Sequence, residues 1–65
     1  MKDQKLFKDL RRHVKIELAK RDKTQSQLAN ELGVSRQYLN NMYLGKVSTF
    51  NQTRERLLTA LEKIS

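Results

Sequence analysis

Four polar residues, Arg36, Gln37, Asn40 and Asn41, recur at helical spacing in one short segment of the sequence. At about 100° per residue they fall on one face of a helix and point away from Leu39. Arginine carries a fork of donors that fits guanine O6 and N7, and glutamine or asparagine can bind adenine N6 and N7. The pattern therefore predicts a helix whose outward face suits base edges in the DNA major groove.

Two short helices joined by a tight corner must position this face. The first is predicted from Thr24 to Leu32, because Thr24 with Gln27 three residues later is the pattern of a capping box. Gly33 supplies the permissive backbone that a sharp turn between helices needs. The second helix is predicted from Ser35 to Leu44, since the Ser35 hydroxyl can accept an unpaired backbone N–H and cap its start.

Two longer amphipathic segments flank this pair. An i, i+4 ladder of Leu6, Leu10, Val14 and Leu18 predicts a helix from Asp3 to Arg21. A second apolar stripe predicts a last helix from about Phe50 to Ile64, capped by Ser48 or Thr49. No strand-like alternation occurs, so the predicted fold is all-α, a compact bundle of four or five helices in a single domain over residues 1–65.

The inner faces of these helices define a predicted core, and the outer face of the first helix is basic. The expected core residues are Leu6, Phe7, Leu10, Val14, Leu18, Leu28, Ala29, Leu32, Val34, Leu39, Met42, Phe50, Leu57, Leu58 and Leu61. The outward basic residues of the first helix are Lys2, Lys5, Lys8, Arg12, Lys15 and Lys20.

The segment 25–44 resembles the helix-turn-helix of the XRE family, the small all-helical domain of lambda-type phage repressors and Cro proteins. The resemblance covers residues 10–46 well and rests on Thr24-Gln25, Leu28-Ala29, Leu32-Gly33-Val34-Ser35, Leu39 and Gly45-Lys46. It implies a lambda-repressor-like fold with a helix-turn-helix at about 25–44. It also implies a sequence-specific, double-stranded DNA-binding transcriptional regulator, a repressor or Cro-like protein of a phage or mobile element.

The resemblance also assigns the contacts, with the start of the second helix of the pair nearest the bases. Base contacts are expected from Ser35, Arg36, Gln37, Asn40 and Asn41. Sugar–phosphate contacts are expected from Thr24, Gln25, Tyr38 and Lys46. A buried Arg–Glu pair that many family members contain falls here on Leu18 and Tyr43, so apolar packing is expected to replace it.

The charge balance favours a polyanionic partner. Fourteen Lys and Arg face seven Asp and Glu, which leaves a net charge of +7 on 65 residues. Double-stranded DNA is the partner that agrees with both the charge and the polar helix face. One helix covers only a few base pairs, so we expect a weak or DNA-induced homodimer on half-sites about 34 Å apart.

Nothing in the sequence suggests an enzyme. There is no cysteine, and His13 is the one histidine, so no usual set of zinc ligands is present. Neither paired carboxylates nor a glycine-rich phosphate loop occurs. We expect no catalytic residue, cofactor, metal or small-molecule ligand. No apolar run approaches the roughly 18 residues of a membrane span. We therefore expect no membrane partner and a cytoplasmic, nucleoid-associated protein of a bacterial or phage-infected cell.

Two alternatives remain. A protein-interaction module, such as an antirepressor with the same fold, would carry apolar or acidic residues on the outward face of the second helix of the pair. A non-specific nucleic-acid-binding accessory protein would act through charge and usually offers aromatic side chains for stacking. The aromatic residues here are Phe7, Tyr38, Tyr43 and Phe50, and most of them are expected to pack in the core.

Overall fold

Four α-helices make up the part of the chain that the structure describes. The computed structural model describes the backbone of residues 2–64 and the side chains of residues 4–64, so the predicted outward side chain of Lys2 lies outside it. The helices are α1 (Lys2–Lys20), α2 (Gln25–Leu32), α3 (Arg36–Tyr43) and α4 (Phe50–Ile64), and these residues contain no strand. The all-α prediction is confirmed, and every predicted helix end lies within one residue of the observed one.

A capping box and a glycine set the ends of α2. Thr24 Oγ1 accepts the Gln27 N–H at 3.2 Å, and Gln27 Oε1 accepts the Thr24 N–H at 2.7 Å. Gly33 follows the helix with a φ of 73°, and the Val34 N–H returns to the Ala29 carbonyl at 3.0 Å. Because glycine adopts positive φ without the steric cost of a Cβ, the chain can turn into α3 within residues 33–35.

Side-chain hydroxyls also cap α3 and α4. Ser35 Oγ accepts the Tyr38 N–H at 3.0 Å, as predicted. Of the two residues suggested as the cap of α4, Thr49 fills the position, because its Oγ1 accepts the Gln52 N–H at 3.3 Å. Each bond satisfies one of the backbone donors that the first turn of a helix leaves unpaired, and so makes the start of the helix well defined.

The core lies between α1 and α4 on one side and the α2–α3 pair on the other. α4 packs against both α1 and α2, and α3 packs against the same two helices. The most deeply buried side chains come from all four helices: Val14, Leu28, Leu39, Met42, Thr53 and Leu57. The rings of Phe7 and Phe50 meet edge to face with centroids 5.4 Å apart, which ties α1 to the start of α4.

The prediction that Leu6 belongs to the core is wrong, because its side chain is 45% exposed. Phe7, which was also predicted to lie in the core, is buried three residues before Leu10. A helix has 3.6 residues per turn, so a strict i, i+4 ladder drifts around the axis and its far end leaves the core face. The other predicted core residues are buried or half-buried against the core. The prediction omitted three buried residues of α3 and α4: Tyr43, Thr53 and Ala60.

Thr53 has a buried hydroxyl that finds no hydrogen-bond partner among the described residues. Burying an unpaired polar group costs about 1–3 kcal/mol, and valine has the same shape without that group. We therefore expect Thr53→Val to raise the free energy of unfolding by about 1 kcal/mol in urea denaturation. Thr59→Val makes the same change at an exposed position of α4 and should shift stability by less than about 0.5 kcal/mol. Equal gains in both variants would show that the hydroxyl is not responsible.

Candidate nucleic-acid interface

α3 separates an apolar face from a polar one. Its buried side chains are Leu39, Met42 and Tyr43. The exposed polar side chains predicted to contact bases are Arg36, Gln37 and Asn40. Since the apolar face is held in the core, these three polar groups project from a fixed helix and are accessible to a large ligand.

The other two predicted base-contact residues have roles within the fold. Ser35 uses one lone pair of its hydroxyl oxygen to cap α3, which leaves the hydroxyl hydrogen and a second lone pair for a ligand. Asn41 is half-buried rather than fully exposed. Its backbone carbonyl accepts the backbone N–H groups of Leu44 at 3.2 Å and Lys46 at 3.1 Å, because the turn after α3 folds back beside it. Asn41 is therefore less accessible than its position on the outward face suggests.

Tyr38 and Lys46 are two of the predicted phosphate contacts. The Tyr38 side chain is 36% exposed. The Lys46 side chain is exposed, and its backbone N–H holds it in the turn that follows α3. Both side chains can reach a phosphate outside the protein.

A hydrogen bond joins the beginning of α2 to the end of α3. The Tyr43 hydroxyl donates to Gln25 Oε1 at 2.8 Å. This bond orients the side-chain amide and leaves the two Nε2 donors of Gln25 for another acceptor. Apolar packing alone was expected at Tyr43, so the bond was missed. A tyrosine on an otherwise apolar face was the available signal, because a buried hydroxyl usually needs a partner.

The first turn of α2 presents unpaired backbone donors. The capping box uses the N–H groups of Thr24 and Gln27. The N–H groups of Gln25 and Ser26 have no acceptor within the described part of the chain. Because they lie at the positive end of the helix dipole, this end of α2 favours an anion such as a phosphate.

Burial raises the pKa of Tyr43 to about 12, although the positive charges of Arg36 and Arg11 lower it in part. Because the pKa is raised in the folded state, the protonated Tyr43 hydroxyl contributes to the free energy of unfolding. This contribution is complete below the unfolded pKa of 10.0 and is lost as the pH rises through about 12. We therefore expect the free energy of unfolding to fall across this interval. The fall should be smaller in Tyr43→Phe, measured by urea denaturation at several pH values. The same fall in both proteins would contradict the assignment.

The segment around α3 contains no acidic side chain. No Asp or Glu occurs between Glu31 and Glu55, whereas Arg36 of α3 and Lys46 of the turn after it lie in that interval. The charged side chains that α3 and its flanking turns contribute are therefore all positive, which suits a polyanion. This gap is visible in the sequence, although the net charge does not reveal it.

Other kinds of site find little support in the described residues. They contain no group of His, Cys, Asp and Glu side chains that could hold a metal ion. His13, the one histidine of the sequence, is exposed. Within residues 2–64, no helix is both long enough and apolar enough to cross a membrane.

No protein-family model, curated protein sequence or solved structure matches the chain. The features of the interface that bear on its function are a helix face held in the core and an opposite, exposed face that is polar and free of acidic groups.

Proposed function

We propose that this protein is a sequence-specific double-stranded DNA-binding transcriptional regulator, a repressor or Cro-like protein of a phage or mobile element. The observation that carries the proposal is the exposed set of Arg36, Gln37 and Asn40 on a helix whose other face is buried. These residue types match the donor and acceptor pattern of base edges in the major groove, which is wide enough for an α-helix.

In this proposal α2, the turn at Gly33 and α3 form a helix-turn-helix of the lambda-repressor type. α3 enters the major groove with its first residues nearest the bases. We assign Arg36 to guanine O6 and N7, and Gln37 to adenine N6 and N7. The Ser35 cap and the buried Leu39 support this assignment, because they hold the first turn of α3 in one position.

Contacts to the sugar–phosphate backbone flank the base contacts. Thr24 and Gln25 lie at the start of α2, where unpaired N–H groups and the helix dipole favour a phosphate. The bond from Tyr43 directs the Nε2 donors of Gln25 to an outside acceptor. Lys46 and Tyr38 would meet phosphates beyond the two ends of the base-contacting face. Such contacts fix the register of the protein on the duplex but do not read its sequence.

A weak or DNA-induced homodimer completes the proposal. One recognition helix reads only a few base pairs, and two copies related by a two-fold axis would read half-sites about 34 Å apart. The operator would then be an inverted repeat, and the two copies together would supply the affinity that one short helix lacks.

The base-reading role of Arg36 is tested by Arg36→Ala. We expect the variant to lose about 1–3 kcal/mol of discrimination between the selected site and a site with one guanine replaced. Arg56→Ala, an exposed arginine of α4, is the matched control and should keep the discrimination. Lys46→Ala should weaken binding to all duplexes alike and lower the salt slope by about one. Uniform weakening by Arg36→Ala would contradict the assignment.

Selection from a random duplex library, with affinities measured at two salt concentrations, tests the function itself. An enriched inverted repeat supports a dimeric operator-binding protein, and a short unrepeated site supports a monomeric one. No enrichment, with binding that disappears as salt rises, would leave a non-specific accessory protein. If the protein bound no duplex at all, an interaction module with the same fold would take the place of this proposal.

A further inference from the structure

Basic side chains are concentrated on one side of α1. Lys5, Lys8 and Arg11 line a groove with α3, and Lys15 lies beside Lys8 and Arg11 on the adjoining surface of α1; we call these four residues the α1 basic flank. The opposite flank, toward α4, carries Asp9 and His13. All of these side chains are exposed. Positive charge is therefore concentrated on the side of α1 that lies next to the candidate interface.

A groove of about 480 Å³ runs between the α1 basic flank and α3. One wall is formed by α1 residues, among them Lys5, Lys8 and Arg11. The other is formed by Asn40 and Tyr43 of α3 and by Leu44, which follows the helix. No acidic side chain lines it. Asn40 belongs both to this groove and to the exposed polar face of α3, so the groove opens beside the residues assigned to DNA.

The positive charges of α1 and α3 act on the same point. Arg11 of α1 and Arg36 of α3 both lower the pKa of Tyr43, against the larger effect of burial, which raises it. Two guanidinium groups from different helices therefore contribute positive potential at one hydroxyl group. Charges within a Debye length of about 8–10 Å reinforce each other at the ionic strength of a cell.

Interactions within the protein do not explain why the four positive side chains of the α1 basic flank lie together. At the other end of α1, Glu17 pairs with Lys20 and Arg21. Within the described residues, the four members of the α1 basic flank form no ion pair. Like charges three or four residues apart on a helix repel one another and destabilise it. An external polyanion would relieve this repulsion.

We propose that the α1 basic flank binds the phosphodiester backbone of the same duplex whose major groove receives α3. This inference rests on the proposed function and adds a second DNA-contacting surface to that of α3. From Lys5 to Lys15 the helix rises about 15 Å, whereas a DNA strand advances about 3.4 Å along the duplex axis per phosphate, so the flank is long enough to reach several phosphates. α1 thereby adds affinity that does not depend on sequence to the short recognition surface of α3.

The test compares two triple variants that remove the same charge. The first is Lys8→Gln/Arg11→Gln/Lys15→Gln, and the control on α4 is Arg54→Gln/Arg56→Gln/Lys63→Gln. Glutamine, lysine and arginine have similar helix propensities, so both helices should persist, which circular dichroism verifies. Fluorescence anisotropy measures the affinity for the selected site and for a shuffled duplex across a series of salt concentrations.

We expect the α1 triple variant to reduce the magnitude of the slope of log affinity against log salt by about two to three, since each phosphate contact contributes about 0.9. Its affinities for the two duplexes should fall by the same factor, about tenfold or more at low salt, so that discrimination is unchanged. The control should change the slope by less than about one. Lys8→Gln alone should lower it by about one, which keeps the test valid if the triple variant fails to fold.

The outcomes separate this inference from the function on which it rests. Equal slopes for the α1 and α4 triple variants would overturn the inference while leaving DNA binding by α3 intact, because net charge alone would then explain the effect. A loss of discrimination in the α1 variant would also overturn it, since backbone contacts carry no sequence information. Failure of the unmodified protein to bind any duplex would remove both proposals together.

Discussion

Leu57→Ala is expected to lower the free energy of unfolding by about 2–5 kcal/mol, the usual cost of truncating a fully buried leucine. Leu57 has no exposed surface, and its helix packs against both α1 and α2, so the lost methyl groups leave a cavity where three helices meet. The chain has 65 residues and no cysteine with which to form a disulfide. Because domains of this size are marginally stable, with about 0.05–0.15 kcal/mol per residue, this loss is a large fraction of the total free energy of unfolding.

Urea denaturation followed by circular dichroism measures this effect, and Leu6→Ala supplies the matched control. It makes the same chemical change within a helix, but at a side chain that is 45% exposed. Leu6→Ala should therefore cost less than about 1 kcal/mol, because the removed groups already lie partly in water. If both variants lost the same free energy, the placement of Leu6 outside the core would be contradicted.

Gly45→Ala is expected to destabilise the protein by about 2–4 kcal/mol through two separate costs. The first is backbone strain, since Gly45 has a φ of 76°, which a residue with a Cβ rarely adopts. The second is steric, because an added Cβ would lie 2.8 Å from Cε2 and 3.0 Å from Cδ2 of Phe7. The Phe7 ring would have to move, and its edge-to-face contact with Phe50 would be disturbed.

Gly33→Ala separates the two costs. Gly33 has a nearly identical φ of 73°, but an added Cβ there would meet no atom within 4 Å. The Gly33→Ala variant should therefore be destabilised only by backbone strain, by about 1–2 kcal/mol. The difference between the two variants in thermal or urea unfolding gives the cost of displacing Phe7. Equal destabilisation would show that the ring adjusts freely and that the close approach of Gly45 to α1 has no energetic importance.

The sequence by itself determined the local structure of this protein. The helix ends, the Thr24–Gln27 capping box and the Ser35 cap depend on groups that lie within four residues of one another. The polar outward face of α3 follows from helical periodicity alone, as the exposed Arg36 and Gln37 confirm. The proposal of a DNA-reading helix therefore already had its principal residues before any tertiary contact was known.

Tertiary structure decided the features that depend on how separate helices meet. Tyr43 reaches Gln25 across 18 residues, and Gly45 lies against Phe7, although neither pair is adjacent in the sequence. Leu6 and Phe7 were both predicted to lie in the core, and the packing of α1 decides which of them is buried. Phe7 is buried where its ring meets that of Phe50 in α4. The α1 basic flank is a line of lysines and an arginine in the sequence, and only the packing of α1 against α3 places it beside the candidate interface. Periodicity specifies the faces of a helix, but the partner of each face is set by the packing of side chains from distant segments, which no local pattern encodes.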